Sequence, residues 1–138
     1  MGIVRTSTRA TRRAPAEHFT GAVWVDEIVE GKLPSRLRAG IVSFSPGART
    51  AWHSHPVGQT LYVLSGIGRY QRKGDPVQVL CSGDTVMIAP DTLHWHGAAP
   101  DRIFSHLALS EVSDTGAGTA WFEHVTDEDY REEPSATR

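Results

Sequence analysis

The sequence predicts an all-β protein, a single barrel or sandwich of short strands. Two observations carry that expectation. Between Gly21 and Ser110 the chain alternates short β-branched and aromatic runs with turns at intervals of roughly 8 to 12 residues. Over the same stretch no helical period of useful length competes. Taken in order, Gly21 opens the run Ala22–Ile28, and Arg38–Phe44 ends at Ser45-Pro46-Gly47. Ala48–His55 is broken by Pro56-Val57-Gly58, and Gln59–Leu64 stops at Ser65-Gly66. Gly68–Gln71 turns at Lys73-Gly74-Asp75-Pro76, Val77–Leu80 at Ser82-Gly83-Asp84, and Thr85–Ile88 at Ala89-Pro90-Asp91. His94–Gly97 and Ile103–Leu109 complete the set. Each turn has residues that supply positive φ or a fixed φ, which is why these points and not others read as breaks.

The flanks look different. Residues 1–20 carry Arg5, Arg9, Arg12 and Arg13 among Ser and Thr, without an apolar secretory core, and read as a solvated arm. The barrel is expected over 21–125. Residues 126–138 read as a tail in which Thr126-Asp127-Glu128-Asp129 could cap one short helix, with fraying from Glu132 onward. Ser113–Gly118 reads as a flexible loop, and no internal repeat is evident.

Composition bounds the function. A chain of 138 residues, 39% hydrophobic and 22% charged, is one soluble domain with a real core. A formal charge of −2 gives no basic field for phosphates, so nucleic acid is not expected as a partner. No apolar run reaches the roughly 20 residues that span a bilayer, so no membrane partner is expected. Cys81 is the only cysteine. It excludes an intrachain disulfide and a cysteine-based zinc site, and a reducing cytoplasm is the expected location.

The chemistry concentrates in the spacing Gly47-x5-His53-x-His55-x3-Gln59-x6-Gly66, followed by His94-Trp95-His96. Residues two apart on a strand share a face, so His53 and His55 point one way while Trp52 and Ser54 point the other. Gln59 returns an amide oxygen beside them and His94 supplies a third imidazole. His96 faces the same interior without necessarily touching a metal, which makes it a candidate base. A lone interior histidine is more often a satisfied core residue than a ligand, but three at these intervals beside glycine-punctuated strands point to one divalent ion. His106 shares a face with Phe104, Ala108 and Ser110. Alternation also offers Val42 and Ser110 as walls of a substrate pocket. His18 and His124 lie in the flanks and read as surface residues.

These residues resemble the cupin superfamily, whose first motif is G-x5-H-x-H-x3,4-E-x6-G and whose second is G-x5-P-x-G-x2-H-x3-N. The first is matched except that Gln59 stands where most cupins have Glu. The second is matched at Gly83 and His94, with Ala89, Asp91 and Ala98 in place of its Pro, Gly and Asn. The resemblance implies a cupin jelly-roll β-barrel with short irregular extensions at both ends. A closer similarity runs through Gly47–Pro56, Gly58–Leu61, His94–Pro100, Ser105–Ala108 and Glu123–Glu128. It is to small bacterial cupins that include manganese-dependent hydroxynitrile lyases. That group implies a metal held by three His and one Gln, here His53, His55, Gln59 and His94.

The expected activity is therefore cleavage or formation of cyanohydrins, such as mandelonitrile to benzaldehyde and cyanide. His96 would act as base, and His106 would orient it or bind the nitrile. The expected cofactor is one divalent ion per chain, manganese first, with iron, nickel, cobalt or zinc compatible with the same donors. An iron-dependent cupin dioxygenase and a non-catalytic module binding metal or a small ligand are the alternatives. The partner is a small-molecule substrate. Trp52 and Trp95 must face away from the inward histidines, so a second sheet or a subunit contact is expected to cover them, and with it a homodimer or homotetramer.

Overall fold

The computed structural model describes residues 2–135. Its strands are β1 (Arg12–Arg13), β2 (Phe19–Thr20), β3 (Val23–Glu30), β4 (Leu37–Phe44), β5 (Arg49–Thr50), β6 (His53–Ser54), β7 (Gln59–Arg72), β8 (Gln78–Cys81), β9 (Thr85–Ile88), β10 (His94–Ala98), β11 (Phe104–Glu111) and β12 (Ala120–Trp121). One short helix, α1, spans Asp127–Tyr130. The all-β class is as the sequence predicts. No described helix is long and apolar enough to cross a membrane.

All paired strands are antiparallel, in the order β1-β3-β4-β11-β7-β10-β5-β2. The sheet curls because β7 belongs to two walls. Its first half pairs with β11 and β9, and its second half with β10 and β8. The change of wall occurs at a bulge. Ser65 is opposite Ser105 but Val63 is opposite His106, so Leu64 is the extra residue, and Gly66 follows at φ 80°. The expected break at Ser65-Gly66 is thus a bend inside one 14-residue strand. Glycine there turns the strand without ending it.

Two other boundaries differ from expectation. The run 48–55 is split into β5 and β6, because Ala51 N donates to His18 O and Trp52 N to Glu123 O instead of continuing one ladder. The arm 1–20 is not simply solvated: Arg12–Arg13 pairs with Trp24–Val25, and Phe19–Thr20 with Arg49–Thr50. Two-residue strands are too short for periodicity to register.

Inside the barrel, Val23, Phe44, Val63, Ala98 and Phe104 form a dry plug. Register then builds the interior in rows away from it. Val25, Val42, His106 and Val63 lie opposite one another, and Arg38, Ser110 and Gln59 form a row nearer the mouth. Facing residues on paired strands share a side of the sheet, so imidazoles sit between an apolar floor and a polar rim.

Trp52 and Trp95 do face away from the histidines, as parity demands, but this chain's own residues cover them. Trp95 is 0% exposed and packs with Trp52, Val77, Val125 and Tyr130. The C-terminal segment is held there by Arg49, only 5% exposed, whose Nη2 donates to Val125 O and Asp127 Oδ1, both at 2.8 Å. The guanidinium carbon also lies 4.4 Å from the Tyr130 ring centroid, while Tyr130 Oη donates to Ala98 O at 2.5 Å. α1 begins at the expected cap, with Thr126 Oγ1 accepting from Asp129 N. Fraying does not begin at Glu132, since Ser135 N still donates to Val77 O. Residues 136–138 of the expected tail lie outside the described residues. The aromatic pair therefore asks for no second subunit.

Gly66→Ala tests the bend. A side chain would have to adopt a left-handed φ, and its Cβ would be driven into the Ile103 carbonyl oxygen. Urea unfolding is expected to show a loss of more than about 2 kcal/mol; an unchanged midpoint would contradict the role given to Gly66.

Candidate metal centre

Five buried imidazoles, from His53, His55, His94, His96 and His106, converge between the two walls. Ring centroids lie 4.1 Å apart for His53 and His94, 5.1 Å for His53 and His55, and 5.5 Å for His55 and His94. His94 is directly opposite His53 in the β10–β6 pairing, which is why residues far apart in sequence meet.

The hydrogen bonds decide which nitrogens are free. His53 Nδ1 donates to Ala51 O and His94 Nδ1 to Thr92 O, each at 2.9 Å and each two residues back. A neutral ring that gives its Nδ1 proton to a carbonyl leaves Nε2 as a bare lone pair, the form a metal takes. The Thr92 carbonyl is placed by the turn at Asp91, whose φ is 58°. The second cupin motif has Gly at that position, and Asp is among the few residues that tolerate the left-handed region. His55 Nδ1 lies 3.2 Å from Thr119 Oγ1.

Among the described residues, buried atoms of this centre without a hydrogen-bond partner include His55 Nε2, His94 Nε2 and Gln59 Oε1. A buried polar atom without a partner costs roughly 1–3 kcal/mol, so several in one place ask for something to satisfy them. With His53 Nε2 they make three nitrogens and one oxygen, all neutral, a donor set that fits a divalent ion. His96 Nε2 is also unpartnered, and His53, His94 and His96 offer nitrogens within 4.8 Å of one another. His96 differs from the others because its Nδ1 lies 3.1 Å from His106 Nε2, in a buried histidine pair. It can therefore pass a proton to or from another base.

Burial sets the electrostatics. Desolvation lowers His55 and His94 from 6.5 to about 4 and His106 to about 3, and it holds His53 and His96 well below 6.5. Repulsion from neighbouring imidazoles adds to this for His53, His94 and His96. No carboxylate offsets the burial of these rings, so at neutral pH they are uncharged and ready to ligate.

The structure places the expected residues together. Val42 is the cross-strand partner of His106, and Ser110 that of Gln59. Both line a cavity of about 250 Å³ with Arg38, Gly40 and Ala108. His124 is exposed as expected, whereas His18 is half-buried, its ring stacked on Trp121 at 4.4 Å. Sequence reasoning missed Tyr70, which is opposite His96, and Thr50, whose Oγ1 accepts from His96 N at 3.2 Å. The first was open to the same alternation argument that found His106. It also missed Thr119, for which no local signal exists because its partner is 64 positions away.

Known proteins are similar to this chain in sequence and in fold. The family described as Cupin domain matches residues 40–108. The chain is 47% identical over 131 residues to a protein of Granulicella tundricola named (R)-mandelonitrile lyase, covering 95% of this chain and 99% of that one. It is similar to the crystal structure of a cupin-like protein from Thermotoga maritima, with 42% identity, TM-score 0.82, and 86% and 90% of the two chains covered. The polyketide cyclase RemF from Streptomyces resistomycificus matches at TM-score 0.72 with 14% identity, over 94% of this chain and 90% of that one, and shows the fold alone.

The metal-free protein has a definite pH dependence. Its buried histidines titrate below the 6.5 of the unfolded chain, so the unfolded state binds more protons as pH falls. Stability should be fully present above about pH 7 and be lost from pH 6.5 towards 4. Urea midpoints measured across that range should fall steadily; midpoints constant down to pH 4 would contradict neutral buried rings.

Proposed function

The chain belongs to the cupin family, and on that premise we propose that it is a metal-dependent hydroxynitrile lyase, cleaving cyanohydrins to an aldehyde and hydrogen cyanide. The observation that carries the reading is the unpartnered, carboxylate-free donor cluster next to the His96–His106 pair. The 47% identity to a protein named (R)-mandelonitrile lyase supports the substrate class.

In this reading His53, His55 and His94 would hold one divalent ion through Nε2, and Gln59 through Oε1. Held by these four neutral donors, such an ion would supply Lewis acidity undiminished by any anionic ligand. Manganese is the proposed metal. Nitrogen and amide oxygen donors would also accept iron, nickel, cobalt or zinc, so supply decides occupancy as much as the ligands do.

His96 does the proton work. With its Nδ1 proton donated to His106 Nε2, it presents a bare Nε2 to the centre. That nitrogen takes the substrate hydroxyl proton as the carbon–carbon bond to the nitrile breaks. The bonding pair leaves with cyanide, the carbonyl forms, and the proton returns from His96 to cyanide. His106 stabilises the transient imidazolium by accepting its Nδ1 proton in a hydrogen bond, and the low basicity of the buried pair favours its return. The cavity edged by Val42 and Ser110 would take the organic group of the substrate.

Racemic mandelonitrile tests the proposal. The manganese-loaded protein should release benzaldehyde equally with and without oxygen. His96→Ala should cut the rate by about 10²–10⁴-fold, the usual worth of a positioned base, with metal content unchanged. Full turnover in that variant would remove His96 as base. No release by the parent, together with oxygen consumption by the iron-loaded form, would turn the same donors into a dioxygenase site.

A further inference from the structure

We infer that the C-terminal strand β12 and the residue before it complete the metal centre, with Thr119 and Trp121 as positioning residues for His55 and His53. The inference rests on the metal reading above, and it concerns residues beyond the matched family region, which ends at position 108.

Register makes the relation specific. Trp121 is directly opposite His53 and Ala120 opposite Ser54 in the β12–β6 pairing. Side chains two apart share a face, so Thr119 and Trp121 stand on the same side as His55 and His53, in reverse order. The contacts follow that register. Thr119 Oγ1 lies 3.2 Å from His55 Nδ1, and the Trp121 ring lies over the His53 ring, with centroids 4.8 Å apart and planes 29° from parallel.

The two contacts do different things. His53 and His94 have their tautomers set by carbonyls two residues back, in the irregular stretches that precede their strands. His55 has no such local acceptor, and its Nδ1 partner is a hydroxyl brought from 64 positions away. When Thr119 Oγ1 accepts the Nδ1 proton, Nε2 is bare and the ring can ligate. If the hydroxyl donated instead, the proton would move to Nε2, the atom that has to be bare to ligate. Coordination therefore selects Thr119 as acceptor, and Thr119 in turn fixes the angle of the ring.

Trp121 fixes the plane of His53, and it is itself gripped from behind. His18 stacks on Trp121 with centroids 4.4 Å apart and planes 10° from parallel. His18 O also accepts from Ala51 N, and Ala51 O accepts the Nδ1 proton of His53. The N-terminal arm thus supports the same ligand through the ring stack and through the backbone. His53 cannot turn without disturbing both ends of the chain.

The test separates affinity from folding. Stripped protein is titrated with manganese(II) against a chelating dye, and the melting midpoint of each metal-free variant is recorded. The parent should bind one equivalent. Thr119→Val keeps the shape and removes the acceptor, and should weaken manganese binding about 10–100-fold, the usual effect of losing the group that orients a ligating histidine. Thr119→Ser should restore affinity to within a few-fold of the parent. Trp121→Leu should weaken binding more than Trp121→Phe, which keeps a ring over His53. Thr119 is exposed, so its variants should leave the metal-free midpoint in place. Parent affinity retained in Thr119→Val and Trp121→Leu would overturn the inference while leaving the metal reading intact. An affinity loss that Thr119→Ser fails to rescue, or one that only tracks a lowered midpoint, would also overturn it. A parent that binds no manganese would instead remove the reading beneath it.

Discussion

Five neutral imidazoles buried together without a carboxylate are the constraint on which the rest of this structure depends. Each ring has two polar nitrogens, and water reaches few of them. Where the Nδ1 protons of His53, His55 and His94 go therefore decides what the centre can be. For His53 and His94 the acceptors are Ala51 O and Thr92 O, reached by short irregular stretches between strands. The break between β5 and β6 and the left-handed Asp91 exist at the points where those carbonyls must turn inward. For His55 the acceptor comes from the far end of the chain. Backbone irregularity here marks where the ladder yields to the site.

The walls that hold this cluster are joined by β7. Because one strand supplies Gln59 to one wall and Tyr70 to the other, the bulge at Leu64 and the bend at Gly66 set the spacing of the whole interior. On the closed side, Phe44 and Phe104 seal the barrel beneath His96 and His106. On the outer face of β10, the Trp95 indole donates to Gln71 Oε1, and the C-terminal segment lies over it under the grip of Arg49. Stability and site geometry thus share elements: β10 turns His94 and His96 inward and Trp95 outward.

Much of this was legible in the sequence, and the failures have physical reasons. The side chains of His53, His55, His94 and His106 follow from alternation alone, since a period of two leaves no freedom once one residue faces the core. Gln59 was legible as an oxygen donor from its place after the Pro56-Val57-Gly58 turn. The continuity of β7 was not, because a glycine that ends a strand and one that bends it look alike until the pairing partner is known. The two-residue strands β1, β2, β5, β6 and β12 carry too little pattern to be read. The cover over Trp52 and Trp95 was misassigned to a subunit or second sheet because parity says which way a residue points and nothing about what meets it. Thr119 has no signature of any kind, being one hydroxyl after a loop whose importance comes only from register.

The most direct test of the central claim is an anomalous difference map at the manganese absorption edge, from crystals of protein stripped and reloaded with manganese(II). The account predicts one peak per chain, bonded to Nε2 of His53, His55 and His94 and to Oε1 of Gln59, with His96 close by and unbonded. A peak enclosed by His53, His94 and His96, with His55 and Gln59 standing apart, would give His96 to the metal and take away the base. No peak at all would contradict the metal reading of the centre.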